Sequence, residues 1–202
     1  MEIDQPASTL FAILTMLLLA APALADGGDA ERGRKLAYTC MGCHGIENYK
    51  NAYPKYSVPK LAGQSAAYIA AALAEYQAGA RSHPTMKGQA TILSVQDRAD
   101  LAAFFQGPNR AKSGPKPVGT PPAAAAACTA CHGQDGIGAL PENPTLAGQH
   151  ADYLAQALND YRLGKRRNPV MSTFAAQLTR EDIEALATYF SQQPGLQTPK
   201  QE

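Results

Sequence analysis

Apolar residues recur at helical spacing in two separate regions of the chain, and no stretch alternates long enough to make a convincing strand. Tyr68, Ala72 and Tyr76 stand at i, i+4 and i+8, with Ile69 and Leu73 beside them, which predicts a helix with an apolar stripe. Tyr153, Leu154, Leu158 and Tyr161 repeat that stripe. Gly79 and Gly164 follow where a helix C-terminus would take the left-handed conformation. A later helix in each region opens on a capping signature, Ser94-x-x-Asp97 and Thr179-x-x-Asp182. Leu101, Phe104 and Phe105 continue the first, and Leu186, Tyr189 and Phe190 the second. The pattern reads as all-α.

The two regions are copies. Leu61-Ala-Gly-Gln64 returns as Leu146-Ala-Gly-Gln149, an offset of 85, and the same offset carries Pro59 to Pro144, Tyr68 to Tyr153 and Arg81 to Arg166. It also carries Pro84 to Pro169, Met86 to Met171, Asp97 to Asp182 and Phe105 to Phe190. A duplication accounts for this, giving domains at 26–106 and 123–202. The segment 107–122 between them (GPNRAKSGPKPVGTPP) has the proline and glycine content of a linker. Residues 1–25 are expected to be a signal peptide. Leu10 to Leu19 is an apolar run too short to span a bilayer comfortably, and Ala23-Leu24-Ala25 is a small-x-small cleavage site. The segment departs from the usual pattern in carrying Glu2 and Asp4 and no Lys or Arg before the apolar run. An uncleaved membrane anchor is the alternative.

All four cysteines fall into two C-x-x-C-H motifs, Cys40-Met41-Gly42-Cys43-His44 and Cys128-Thr129-Ala130-Cys131-His132. This spacing is that of c-type haem attachment. Two thiols on one helical turn can each form a thioether to a haem vinyl group, and the following His is held under the iron as an axial ligand. A thioredoxin-like dithiol would need a βαβ setting that neither copy has. A single zinc would bring the two pairs within roughly 15–20 residues of each other, and here they are far more widely separated. Neither alternative explains a His after both pairs. With no cysteine left over, no disulfide framework is available. The reading is two haem c groups, attached at Cys40, Cys43, Cys128 and Cys131, with His44 and His132 on the irons.

A second axial ligand is needed, and His or Met is usual. Met41 sits inside the first motif and reads as a spacer. Met86 and Met171 are repeat equivalents, each two residues after a proline, and are the expected ligands; the competing view of an isolated Met is core filler. His83 and His150 have Asn168 and Ser65 as counterparts, so His83 could serve one iron only. Both are read as surface residues or as neighbours of the ligands.

With C-x-x-C-H-G at Cys40–Gly45 and Cys128–Gly133, P-x-L-A-G-Q at Pro59–Gln64 and Pro144–Gln149, and the Tyr-bearing helices leading to Met86 and Met171, the chain resembles the dihaem class I cytochromes c of the cytochrome c4 family. The resemblance spans nearly all of the sequence after the leader. It implies two tandem all-α domains, each wrapped around one haem with His/Met ligation, with the haems close to the domain interface. It also implies that the backbone carbonyls of Pro59 and Pro144 accept a hydrogen bond from the ligating histidines, a contact that fixes the ring. Arg81 and Arg166 become neighbours of propionates or loop carbonyls, or else solvated loop charges. Class I domains start with a helix whose glycine crosses the last helix, and Gly33 with Leu36 fits. The second copy has Pro121-Pro122 and then Ala123–Ala127, so its first helix is expected to be short.

A haem iron with both axial positions filled has no open site for substrate. The expected function is therefore electron transfer without catalysis, in the periplasm, from a quinol-oxidising complex (quinol:cytochrome c reductase) to a terminal oxidase. The alternatives are the cytochrome subunit of a flavoprotein dehydrogenase, such as a flavocytochrome c sulfide dehydrogenase, or a dihaem peroxidase. Residues 26–112 hold eleven Lys and Arg against seven Asp and Glu, and residues 113–202 hold seven against eight, so the two faces can suit different redox partners. A net charge of +1 argues against a nucleic-acid role. Peripheral contact with the membrane is compatible with export, and a retained leader would anchor the protein there.

Overall fold

The fold is that of a computed structural model describing residues 27–114 and 116–200; the expected leader lies outside them. The described residues contain nine α-helices, one 3-10 turn and no strand, only isolated bridge pairs. The first half comprises α1 (Ala30–Leu36), α2 (Tyr38–His44), α3 (Ala66–Gln77), α4 (Pro84–Thr91) and α5 (Val95–Gln106). The 3-10 turn Ala123–Ala127 then leads into α6 (Thr129–His132), α7 (Ala151–Arg162), α8 (Pro169–Ala175) and α9 (Arg180–Ser191). Both capping signatures form complete boxes, Ser94 with Asp97 on α5 and Thr179 with Asp182 on α9.

Each half buries its own cluster. In the first, Met41, Ile69, Leu101, Ala102 and Phe105 pack together; in the second, Leu154, Leu186, Ala187, Tyr189 and Phe190 do. The offset of 85 maps Ile69, Leu101, Ala102 and Phe105 onto Leu154, Leu186, Ala187 and Phe190, so one packing scheme is used twice. Met41 is not a spacer. It is 4% exposed and fills the first core beneath the motif that carries it.

The halves differ in how they close. α1 lies on α5 through Gly33, where a Cβ would collide with the carbonyl oxygen of Asp100. The buried Asp100 carboxylate accepts from the Asp29 amide at 2.8 Å and pairs with the Arg32 guanidinium, which also reaches Asp97. In the second half the Pro121-Pro122 pair leaves room only for the 3-10 turn of alanines, because proline lacks an N–H and restricts the residue before it. Ala125, 1% exposed, makes the packing contact there.

A pseudo-twofold axis relates the halves. Arg81 and Arg166, repeat equivalents, form an antiparallel bridge on that axis: Ser82 donates its amide to the Lys165 carbonyl, and Arg167 to that of Ala80, both at 2.8 Å. The C-terminal tail lies between the two L-A-G-Q loops. Leu196 donates its amide to Ala147, and Gln197 exchanges two backbone hydrogen bonds with Ala62. The described residues of 107–122 are irregular, and they are held in place rather than loose. Arg110 donates to the carbonyls of Gly138 and Leu140, Ser113 and Gly114 donate to Asp135, and Val118 exchanges hydrogen bonds with the Gln193 side chain.

A candidate haem site in each half

α2 carries Cys40, Cys43 and His44 on one helical segment, and α6 begins directly after Cys128 and carries Cys131 and His132. The four thiols are free. Burial pushes the Cys40 and Cys128 thiols up. Among the described residues, no group of three or more His, Cys, Asp or Glu side chains is placed to hold a metal ion, so the cysteine pairs do not converge on one zinc.

The histidines are fixed by backbone. His44 Nδ1 lies 2.8 Å from the carbonyl oxygen of Pro59, and His132 Nδ1 lies 3.0 Å from that of Pro144. A carbonyl only accepts, so each Nδ1 carries the proton and each Nε2 keeps its lone pair. Burial lowers the pKa of both rings against the opposing pull of the carbonyl, which favours neutral imidazole. A neutral ring of fixed tautomer is the form an iron ligand requires.

Met86 and Met171 are each third in their helix, after a proline at the first position. Each is half-buried. The residue before the proline closes the turn with its side chain: the Met86 amide donates to His83 Nδ1 at 3.2 Å, and the Met171 amide to Asn168 Oδ1 at 3.0 Å. His83 is thus a helix cap on the Met86 segment, a role that composition alone does not announce. Asn168 at the equivalent position is the one signal in the sequence that could have found it.

Arg81 and Arg166 are not solvated charges: they are 5% and 7% exposed. The Arg81 guanidinium lies 5.2 and 5.5 Å from the ring centres of Tyr68 and Tyr76, and that of Arg166 lies 4.7 Å from Tyr161. Arg166 also donates to the Tyr68 hydroxyl at 2.6 Å. Burial alone would raise the Tyr68 pKa, but the two guanidiniums bring it down to about 8. Read from sequence as an apolar helix stripe, the tyrosines instead face the buried charges; the Arg81 contacts and the Arg166–Tyr161 contact each lie within one half, and the Arg166–Tyr68 hydrogen bond crosses between the halves.

Two C-x-x-C-H segments, each with a neutral imidazole held by a proline carbonyl, and two capped Met segments at equivalent repeat positions are the residue types that one haem c in each half would call for. Comparison with known proteins agrees. The Cytochrome c family model matches residues 30–107 and 122–194. A cytochrome c4 of Pseudomonas aeruginosa is 36% identical, over 80% of this chain and 87% of its own. A thiosulfate dehydrogenase electron acceptor of Stutzerimonas stutzeri is 34% identical, over 77% of this chain and 79% of its own. The crystal structure of reduced recombinant cytochrome c4 from Pseudomonas stutzeri superposes with a TM-score of 0.64 at 34% identity, covering 84% of this chain and all of that one.

Proposed function

The chain belongs to the cytochrome c family, in its two-domain cytochrome c4 form, and on that premise we propose that it is an exported periplasmic carrier taking electrons from a quinol-oxidising complex and passing them to a haem-copper terminal oxidase. It is an electron-transfer cytochrome and not an enzyme, as its cytochrome c4 relatives are. The domains are assigned to residues 26–106 and 123–202. Haem c, when bound, supplies a one-electron iron couple. Cys40 and Cys43 hold it in the first domain, and Cys128 and Cys131 in the second. His44 with Met86, and His132 with Met171, are the assigned axial ligands. Pro59 and Pro144 hold the imidazoles, so neither ring has to turn when the charge on the iron changes; little reorganisation favours fast exchange. Methionine as the sixth ligand raises the potential relative to a second histidine.

The observation that carries this reading is the pair of histidine–proline carbonyl contacts, each directly beneath a C-x-x-C-H motif. Redox-titrated visible spectroscopy of the holoprotein tests it. Two covalently bound haems are expected, each with the weak absorption band of iron–methionine sulfur. A single haem, a missing sulfur band, or useful turnover of peroxide would overturn it.

A second reading is favoured by the likeness to the thiosulfate dehydrogenase electron acceptor: the chain serves as the electron-accepting partner or subunit of a periplasmic dehydrogenase. A dehydrogenase that co-purifies in stoichiometric amount and reduces the haems on adding its substrate would establish it.

A further inference from the structure

The pseudo-twofold axis relates two acid–arginine pairs that ought to be alike. Glu75 and Asp160 are repeat equivalents, as are Arg81 and Arg166. The backbone treats them the same way: the Arg81 amide donates to the Glu75 carbonyl at 3.3 Å, and the Arg166 amide to the Asp160 carbonyl at 3.0 Å. The side chains do not. Arg81 Nε donates to the Glu75 carboxylate in a closed ion pair. Arg166 Nε, buried, finds no acceptor among the described residues. Asp160 is one methylene shorter than Glu75 and instead accepts from Gln156 Nε2 at 2.8 Å. Between the unmatched groups lies a cavity of about 20 Å³, enough for one water molecule.

That cavity joins the domains. Asp160 and Arg166 line it from the second, and Tyr56, Ser82 and His83 from the first. His83 is the side chain whose Nδ1 accepts the Met86 amide. The carboxylate of one domain therefore faces the ligand-bearing segment of the other.

We propose that Asp160 is a redox-linked proton site, its carboxylate binding one proton from solvent as one electron enters the first domain and releasing it when that electron leaves. The electron comes from and returns to the redox partners of the proposed carrier, so the inference rests on that reading. An added electron makes the neighbourhood more negative, which favours the protonated acid. Burial already raises the Asp160 pKa above the ordinary carboxylate value, opposed by Gln156, Lys165, Arg166 and His83. Tyr56 faces Asp160 from the first domain; burial and then the Asp160 charge push its hydroxyl up to about 12, so it stays neutral. Tyr153 on the same helix is pushed up by burial and also stays neutral. Tyr76 and Arg81 complete the lining. Glu75, locked to Arg81, has no such freedom, so only one of the two haems should respond.

The test is potentiometric titration of the full-length holoprotein across a pH series, resolving both potentials. One potential is expected to fall as pH rises above the ordinary carboxylate range, by about 59 mV for each tenfold ratio between the proton affinities of the two redox states; the other stays flat. Asp160→Asn should flatten the first. Asp160→Glu, long enough to close on Arg166 as Glu75 closes on Arg81, should flatten it too. His83→Asn, which keeps the helix cap, should leave the slope in place. Infrared redox difference spectra of the wild type should show a protonated carboxyl band appearing on reduction, a readout that needs no variant to fold. Two flat potentials in the wild type, an unchanged slope in Asp160→Asn or Asp160→Glu, or no carboxyl band would overturn the proposal. Haem count and the sulfur bands, read from the same samples, report separately on the carrier reading.

Discussion

Gln64 and Gln149 clamp each other's domain. The Gln64 side chain donates to the Thr145 carbonyl and accepts from the Thr145 amide, both at 2.9 Å. Gln149, its repeat equivalent, donates to the Lys60 carbonyl at 3.0 Å and accepts from the Lys60 amide at 2.9 Å. Lys60 and Thr145 are themselves equivalent and follow directly on Pro59 and Pro144, whose carbonyls hold the two histidines. The clamp therefore fixes, from across the interface, the segment that orients each imidazole.

Removing either clamp strands a backbone amide and carbonyl, buried at Thr145 and half-buried at Lys60, at a cost of about 1–3 kcal/mol. Gln64→Ala and Gln149→Ala should each lower the stability of the holoprotein by that amount in denaturant unfolding. Because both act on one interface, the double variant should depart from additivity by about 0.5 kcal/mol or more. Single variants that melt like the wild type would mean the domains hold together without these residues.

The helix pattern, the duplication and the haem motifs were all legible because each rests on local spacing: a stripe, a cap box, a C-x-x-C-H. Gly33 was legible for the same reason, since a glycine facing a partner helix is a local signal. The interface was not. Tyr68, Tyr76, Tyr153 and Tyr161 satisfy the helical stripe whether they face aliphatic core or buried arginine, and only long-range packing separates the two. The tail was equally opaque. Nothing in Gly195-Leu196-Gln197 predicts that it joins the L-A-G-Q loops of both halves. His83 hid because its partner is a backbone amide three residues on, which any side-chain acceptor could satisfy.

Leu196 is fully buried, and its amide is held by Ala147 while its neighbour Gln197 pairs with Ala62. Leu196→Ala should cost about 2–5 kcal/mol, the range for a buried leucine truncated in a packed setting. Thermal melts followed at the haem absorbance check this. A loss below about 1 kcal/mol would show that the tail only rests on the surface.

The crossing of α1 and α5 should make the first domain sensitive to acid. The Ser94 hydroxyl, its amide and Arg32 together hold the Asp97 pKa down at about 2, and Arg32, Gln96 and the Asp29 amide outweigh burial to depress that of Asp100. A carboxylate depressed in the folded state stabilises it above the unfolded pKa of about 4 and loses that contribution as pH falls toward the folded value. Stability should therefore hold at neutral pH and decline between about pH 4 and pH 2. Ser94→Ala should raise the Asp97 pKa in an NMR titration and remove the helix cap, at a cost of about 1 kcal/mol. An unmoved Asp97 titration would place the control elsewhere.

His83 and Asn168 do the same mechanical work with different chemistry, each accepting the amide of the methionine three residues on. With proline fixing the first helical position, the cap sets the backbone that carries Met86 or Met171, the proposed iron ligands. Loss of a cap costs about 1 kcal/mol, and in a segment this short the cost should fall on the iron–sulfur bond rather than on the whole fold. His83→Ala should weaken the sulfur absorption band of the first haem alone and lower that haem's potential, while His83→Asn, copying the second domain, should restore both. Asn168→Ala should act on the second haem alone. Were His83→Ala to leave both sulfur bands at wild-type strength while lowering the melting temperature, the histidine would be a cap and nothing more.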